Sequence, residues 1–196
     1  MILKDFSEKK RVVVGVSGAS GGIYAYRLVQ VLADCGIEVH FVASDAGWQV
    51  LDYECGVGRE QLTKLVHKVY DVKRIDSAIA SGSFPCDAMV IVPCSMKTLG
   101  CLAGGIADNL LTRSADVTLK EGRKLILVVR ETPVHAIHLE NMLKLAHAGA
   151  RILPACPGFY HKPQTIDDIV DMLVGKICDA LGVKTNLFKR WTGEEE

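Results

Sequence analysis

The 196-residue chain lacks the features that mark several common classes of protein. No apolar run approaches the roughly 20 residues that a membrane-spanning helix needs, and the first ten residues lack the apolar core of a signal peptide. The net charge is zero, because 23 basic residues balance 23 acidic ones, and the basic residues form no dense run. Nothing points to nucleic acid or to a membrane as a partner, so we expect a soluble, cytoplasmic protein.

Paired cysteines and metal-binding spacings are also missing. The seven cysteines are an odd number, and none stands in a C-x-x-C motif. This argues against a disulfide framework and a zinc knuckle, and indicates reduced, mostly buried thiols. His135 and His138 lie three residues apart without a Cys, Asp or Glu at ligand spacing, so we expect no bound metal.

Two nucleotide-binding fingerprints are absent from the strand–turn–helix pattern near the N-terminus. Val12–Val16 is apolar and predicts a buried strand, and a helical pattern starts just after Gly21 and Gly22. The turn is neither G-x-G-x-x-G nor a P-loop, and no acidic residue ends the next strand. Free N–H groups at a glycine-rich helix start still favour an anion. We therefore expect a mononucleotide or another phosphate ester here; a tight turn without a ligand is the alternative.

Strand-like and helix-like segments alternate along the whole chain. The strand patterns cover 12–16, 39–43, 67–70, 88–93, 124–130 and 151–154, and the helical patterns cover 23–34, 44–55, 60–66, 99–103, 109–119, 137–148 and 165–181. This alternation predicts the α/β class, with a parallel sheet covered by helices on both faces. We predict a single Rossmann-like or flavodoxin-like domain over residues 1–196, with 1–10 as an N-terminal extension and 186–196 as a C-terminal tail.

Polar residues follow the predicted strands, at the edge where open parallel sheets bind ligands. The segment Pro93-Cys-Ser-Met-Lys-Thr98 leads from a strand into a helix, where it either holds part of a nucleotide or only caps the helix. Arg130-Glu131 follows five apolar residues. Arginine grips phosphate with two parallel N–H bonds and glutamate exchanges protons; a surface salt bridge is the alternative. Arg113 and Lys120, two turns apart on one helix, add positive charge or form its solvated side.

Taken in order, these motifs resemble those of the flavin prenyltransferase family, from about residue 11 to Trp191. The matching motifs include Ser17-Gly-Ala-Ser-Gly21, Ala80-Ser-Gly-Ser-Phe84, Pro93-Cys-Ser-Met-Lys-Thr98, Arg130-Glu-Thr-Pro133, His138-Leu-Glu-Asn-Met142 and Pro157-Gly-Phe-Tyr-His161. Members of that family transfer a dimethylallyl group from dimethylallyl phosphate to N5 and C6 of reduced FMN, without a metal. The resemblance implies this reaction, this cofactor, a homo-oligomer (a dodecamer in the family) with sites built between subunits, and delivery of prenylated FMN to a UbiD-type decarboxylase.

The resemblance also implies a role for individual residues. The implied FMN contacts are Gly18, Ala19, Ser20, Ser44, Ser95, Met96, Lys97, Thr98 and Arg130. The implied dimethylallyl phosphate site comprises Arg113, Lys120, Arg130, Glu131, Tyr160, Lys176 and Trp191, with Lys120, Glu131 and Tyr160 also catalytic. Ser20 and Glu54 match a pair that relays protons. Lys176 stands where the family often has arginine, so it keeps the charge but loses the bidentate grip on phosphate.

Two alternatives remain open at this stage. A flavin-dependent cysteine decarboxylase shares the scaffold, but such enzymes use an early histidine and a Pro-x-Met-Asn stretch. This chain has Pro93-Cys-Ser-Met-Lys and no asparagine there. A non-catalytic flavin carrier subunit is the other alternative, and it has no need of the phosphate-leaving site that Lys120, Glu131 and Tyr160 imply.

Overall fold

A computed structural model describes residues 9–193, and these form one six-stranded sheet with helices on both faces. The strands are β1 (Arg11–Val16), β2 (Glu38–Ala43), β3 (Lys68–Tyr70), β4 (Ala88–Cys94), β5 (Lys124–Val129) and β6 (Arg151–Ile152). The helices are α1 (Gly22–Asp34), α2 (Asp45–Cys55), α3 (Arg59–Thr63), α4 (Met96–Ala103), α5 (Leu110–Lys120), α6 (Ala136–His147) and α7 (Ile166–Leu181). The first eight residues of the predicted N-terminal extension and the last three of the predicted tail lie outside the described residues.

The strands run in the order β3-β2-β1-β4-β5-β6, and every neighbouring pair is parallel. This confirms the predicted α/β class, and the order is that of the Rossmann topology. The chain winds outward from β1 to β3, returns to β4 beside β1, and then winds to β6. The loops after β1 and β4 therefore leave the sheet toward opposite sides, which opens a crevice at the carboxyl ends of these two strands.

Two apolar layers hold the helices against the sheet. Val12, Val14 and Val16 of β1 pack with buried residues of α1 and α7, such as Leu28 and Val174. The alternate face of the sheet packs with α4 and α5 in a second cluster that includes Val13, Met89, Leu99 and Leu111. Each such side chain contributes about 1.5–3 kcal/mol when it leaves water. Burial on both faces explains why the central strands are nearly continuous apolar runs.

The helix starts show where sequence patterns are least informative. Helix α4 begins at Met96, three residues before the predicted Leu99, because the Ser95 hydroxyl accepts the Thr98 N–H at 3.3 Å and so caps it. Strand β6 was predicted to reach Pro154 but ends at Ile152. The Leu153 N–H still donates to the Leu127 carbonyl at 2.9 Å.

No helix among residues 9–193 is both long and apolar enough to cross a membrane.

Glycine allows the first turn of α2 to touch the end of β1. A Cβ on Gly47 would lie 2.5 Å from the backbone oxygen of Val16, and a Cβ on Gly18 would lie 2.5 Å from the Cβ of Ala46. Both distances are far below van der Waals contact. The glycine of the first loop thus makes room for this helix, in addition to any room it makes for a ligand.

This close contact predicts opposite effects for two glycines inside helices. We expect Gly47→Ala to lower the free energy of unfolding by about 1–3 kcal/mol, because the new methyl group meets backbone that cannot move aside. Gly100→Ala is the matched control, since its Cβ would have no neighbour closer than 3.7 Å. It should leave stability unchanged or raise it by up to about 1 kcal/mol. Urea unfolding of both variants measures the difference, and equal stabilities would contradict the close-packing account.

Candidate active site

A buried serine joins the ends of β1 and β4 at the crevice. The Ser17 hydroxyl donates to the Pro93 carbonyl at 2.8 Å and accepts the Ser95 N–H at 2.7 Å. The Ser17 N–H donates to the same carbonyl at 3.2 Å. Because Ser17 is 1% exposed, these bonds are shielded from water. They fix the loop after β1 against the loop that begins α4, so the two predicted binding segments lie side by side.

A cavity of about 530 Å³ lies at this edge of the sheet, within the range of small-molecule sites, roughly 300–1,000 Å³. Five residues predicted to bind FMN line it: Gly18, Ser44, Ser95, Lys97 and Thr98. Ser44 caps α2, where its hydroxyl accepts the Gly47 N–H at 3.0 Å, and Ser95 caps α4. The predicted contacts Ala19 and Met96 belong to the same two segments, with Ala19 buried and Met96 half-buried.

A third helix start also lines the cavity, and sequence reasoning missed it. Asn109 caps α5, and its side-chain oxygen accepts the Thr112 N–H at 3.1 Å. The cavity therefore receives the N-terminal ends of α2, α4 and α5, each of which carries a partial positive charge. Lys73 and Lys97 offset the carboxylates of Asp45 and Asp108 in the lining. Such a cavity favours a phosphate group.

The N-terminal end of α1, where the sequence predicts an anion, contacts a carboxylate of the protein itself. The Glu54 carboxylate, from the last turn of α2, accepts the N–H groups of Gly21 and Gly22 at 2.9 and 2.8 Å. Ser20 lies beside the same carboxylate and helps to lower its pKa. Gly21 has a φ of 113°, a backbone conformation that favours glycine. The first turn thus contributes Gly18 to the cavity, while its own helix start binds Glu54.

The charges around Glu54 keep it ionised. Burial works to raise the pKa of Glu54, but the hydrogen bonds from Ser20, Gly21 and Gly22 and the charge of Arg130 outweigh burial and lower it. Burial raises the pKa of Tyr24, with further contributions from Cys156 and Glu54, while Arg130 opposes the rise. Arg130, predicted from the end of β5, therefore lies close to both Glu54 and Tyr24. Tyr24 and Cys156 were not predicted, although a tyrosine in the first turn of α1 is a detectable signal.

Arg130 and Glu131 do not form the surface salt bridge that the sequence allowed. The Arg130 N–H donates to the Cys94 carbonyl at 3.2 Å, which continues the register between β4 and β5, and its side chain is half-buried. Glu131 is exposed, and its carboxylate accepts the N–H of Thr132 at 3.0 Å. The two side chains therefore differ in environment: Arg130 is half-buried, whereas Glu131 is exposed just after the carboxyl end of β5.

Tyr160 and Trp191 form a separate aromatic corner. Their ring centroids are 6.2 Å apart at 78°, an edge-to-face arrangement. Both rings line a cavity of about 240 Å³ together with His161, Lys189 and Arg190. Arg190 is fixed by a bidentate ion pair with Asp179, at 2.7 and 2.9 Å. This ion pair holds the C-terminal segment against α7, close to Lys176, one of the predicted substrate-binding residues.

Three predicted phosphate-binding cations, Arg113, Lys120 and Lys176, are not among the residues that line the cavity. Lys120 ends α5 and pairs with Glu121 beside Gly82, close to Lys124 at the amino end of β5. Arg130 follows the other end of that strand, about 16 Å away at a rise of roughly 3.3 Å per residue. Arg113 pairs with Asp116 at 2.8 Å on the same helix as Lys120. Lys176 is exposed on α7, near Asp179.

The fold and cavity define a class: a Rossmann-topology protein with a cavity lined by three helix starts at the carboxyl ends of its strands. The Flavoprotein family matches residues 2–178. A flavin prenyltransferase UbiX from Methanothermobacter thermautotrophicus is 46% identical over 186 residues, 95% of this chain and 97% of that protein. The chain belongs to the flavoprotein family and, within it, to the flavin prenyltransferases.

Two solved structures share the fold over nearly their full length. AnUbiX (PadA1), in complex with FMN and dimethylallyl pyrophosphate, superposes with a TM-score of 0.94 at 39% identity, covering 96% of this chain and 100% of that chain. A dodecameric FMN-dependent UbiX-like decarboxylase from Escherichia coli O157:H7 superposes with a TM-score of 0.91 at 40% identity, covering 93% of this chain and 100% of that one. The family resemblance inferred from the motifs is confirmed.

The contact between Glu54 and α1 predicts a pH-dependent contribution to stability. Because the folded-state pKa of Glu54 is lowered, its stabilisation is present above the unfolded pKa of about 4.3 and is lost as pH falls through the folded value. We expect Glu54→Gln to lower the free energy of unfolding at pH 7 by about 0.3–1 kcal/mol, and the difference from wild type to shrink toward pH 3. Urea unfolding at both pH values tests this.

Glu60→Gln, at a solvent-exposed ion pair with Lys64, is the control. A difference in the free energy of unfolding between wild type and Glu54→Gln that stays constant with pH would contradict the assignment.

Proposed function

We propose that this protein is a flavin prenyltransferase that joins a dimethylallyl group to N5 and C6 of reduced FMN, without a metal, and releases phosphate. The observation that carries the proposal is the cavity at which three helices start and which five of the predicted FMN-binding residues line. A flavin mononucleotide is the ligand class that the family requires and that a crevice of this size accommodates.

The phosphate of FMN is assigned to the starts of α2 and α4. Residues at the starts of both helices line the cavity, where the helix dipoles favour an anion, and Lys73 and Lys97 balance the carboxylates of Asp45 and Asp108. The start of α1 is excluded as the phosphate site, because its N–H groups at Gly21 and Gly22 already bind the Glu54 carboxylate. Arg130 and Ser20 would then contact the flavin ring.

The dimethylallyl phosphate site is assigned to an interface between subunits. Arg130 and Glu131 lie at one end of β5, whereas Lys120 lies at the other, so a neighbouring subunit must supply the second cation. The segment after Glu131 supports an interface, because Val134 and, on α6, Ile137, Leu139 and Leu143 are exposed apolar side chains. We propose a homo-oligomer, with the dodecamer of the Escherichia coli neighbour as the expected form.

The residues present suit the chemistry of a metal-free prenyl transfer. Cleavage of the allylic C–O bond leaves an allyl cation and a phosphate, and Arg130, with Lys120 from the neighbour, stabilises the departing negative charge. The faces of Tyr160 and Trp191 stabilise the cation, by about 0.5–2 kcal/mol per contact. FMN supplies the nitrogen and carbon that accept the prenyl group. Glu54, an ionised carboxylate with Ser20 beside it, would take up the proton that ring closure releases, with Ser20 as the relay.

The two alternatives have weaker support in the site. A cysteine decarboxylase would need an early histidine and the asparagine of a Pro-x-Met-Asn stretch, whereas the segment after β4 reads Ser95-Met-Lys. A carrier would have no use for Glu131 at the open edge. We propose that the product, prenylated FMN, serves a UbiD-type decarboxylase.

The test of this function is an anaerobic reaction with reduced FMN and dimethylallyl phosphate. The flavin is then weighed by mass spectrometry, and released phosphate is measured in parallel. The proposal predicts a gain of one C5H8 unit and one phosphate per flavin. Tightly bound but unmodified flavin, with either the monophosphate or the diphosphate, would contradict it and would direct attention to thiol substrates.

An interface site predicts complementation between two inactive variants. Lys120→Met and Glu131→Gln should each lower turnover by about 10²–10³-fold, because each removes a group that acts on the leaving phosphate. If the two residues come from different subunits, co-expression of both variants restores activity at about one quarter of the sites, given random assembly. Product formation per subunit measures this.

Lys64→Met, co-expressed with Glu131→Gln, is the control for mixed assembly. Lys64 forms an exposed pair with Glu60 far from the crevice loops, so these oligomers should show about half of the wild-type activity. Mixed Lys120→Met and Glu131→Gln oligomers that stay inactive, in a preparation where the control is half active, would place both residues in the same subunit's site.

A further inference from the structure

A compact group of ligand-type side chains lies at the amino end of β2, at the opposite edge of the sheet from the crevice. Glu38 and His40 are two residues apart on β2 and share one face of the strand. His67 immediately precedes β3, and its N–H donates to the Val39 carbonyl at 2.9 Å. These three residues are the group in the described part of the chain whose ligand atoms converge closely enough to hold a metal ion.

The distances between the ligand atoms suit a tetrahedral ion. Glu38 Oε1 lies 2.9 Å from His40 Nε2 and 3.8 Å from His67 Nε2, and all three atoms lie within 4.8 Å of one another. Bonds of about 2.0–2.1 Å at tetrahedral angles place ligand atoms roughly 3.4 Å apart. A small rotation of His67, whose side chain is 58% exposed, closes the triangle around an ion.

The ring of His40 is held in the orientation that a metal ligand needs. His40 is 3% exposed, and its Nδ1 lies 2.9 Å from the Tyr70 hydroxyl. Phe84 packs edge-on against the same ring, with centroids 5.0 Å apart. In the structure, Nε2–H donates to Glu38 Oε1 and Nδ1 accepts the Tyr70 hydroxyl. An ion bound at Nε2 would displace that proton, and Nδ1–H would then donate to the Tyr70 oxygen. Metal-binding histidines are oriented in this way by a partner on the other nitrogen.

The surroundings decide which ion fits. A cavity of about 210 Å³ opens on Glu38 and His67 and leaves room for a water in the fourth position. Two imidazoles and one carboxylate favour Zn²⁺ over Mg²⁺ or Ca²⁺, which prefer all-oxygen sites. Arg11 donates to Glu38 Oε1 at 2.8 Å, and Lys9 and Lys68 lie nearby. These cations repel a metal ion in the site. A transition metal, which bonds strongly to imidazole, is therefore the ion that can still bind there.

We propose that Glu38, His40 and His67 form a Zn²⁺ site that joins β2 to the start of the edge strand β3. The site is independent of the prenyl-transfer crevice, since it lies at the other edge of the sheet. It departs from the expectation of no metal. That expectation rested on the spacing of His135 and His138, whereas His67 is far from His40 in sequence and is brought to it by the β2–β3 pairing. An ion that binds only the folded state raises its stability.

The test uses the purified full chain after removal of metal, with Co²⁺ as a spectroscopic probe and Zn²⁺ as a competitor. We expect one equivalent of Co²⁺ to give visible absorption of a tetrahedral nitrogen–oxygen site, and Zn²⁺ to displace it and raise the melting temperature. His67→Ala should weaken Zn²⁺ affinity at least tenfold without unfolding, because its ring is exposed. His147→Ala, at an exposed histidine that ends α6, is the control and should bind as wild type does.

Three results would overturn the proposal. One is the absence of a Zn²⁺-dependent rise in melting temperature for the wild-type protein. Another is equal Zn²⁺ affinity in wild type and His67→Ala. The third is intense near-ultraviolet absorption of the Co²⁺ form, which reports thiolate ligands and would place the ion on cysteines. Because His40 is buried and its replacement risks misfolding, the decision rests on the His67 variant.

Discussion

The side-by-side position of β1 and β4 at the centre of the sheet is the constraint on which the site depends. Both strands are buried on both faces, and the chain leaves their carboxyl ends toward opposite sides. A crevice must open there. Ser17 turns that crevice into a defined surface, because its hydroxyl connects the Pro93 carbonyl to the Ser95 N–H. The starts of α2, α4 and α5 then face one cavity.

The distribution of anions determines how the crevice is used. A helix start attracts negative charge whether the charge comes from a ligand or from the protein. At α1 the protein supplies it, through Glu54, and this is why we propose the neighbouring helix starts for the phosphate. Glu54 thereby has two effects. It fixes the first turn through Gly21 and Gly22, and it leaves an ionised carboxylate beside Ser20.

The sequence predicts most of the fold because the central strands carry one unambiguous signal, continuous apolar residues between turn residues. The predicted strands and helices are all present in the structure, with boundaries that differ by a few residues. Helix α4 was placed late because its start was taken from the apolar pattern at Leu99, although Ser95, which caps it, also marks a helix start. The site is only partly predictable, since Glu54 lies 33 residues from Gly21 and nothing local to it indicates the contact. The convergence of Asn109 and Lys73 on the cavity likewise depends on tertiary packing.

The placement of the phosphate tests this account most directly, and a crystal structure of the protein with FMN measures it. If the FMN phosphate binds at the starts of α2 and α4, it lies within hydrogen-bond distance of Ser44 and of the first N–H groups of α4. The bonds from Gly21 and Gly22 to Glu54 then stay intact. A phosphate bound to the N–H groups of Gly21 and Gly22, with Glu54 displaced, would contradict the account.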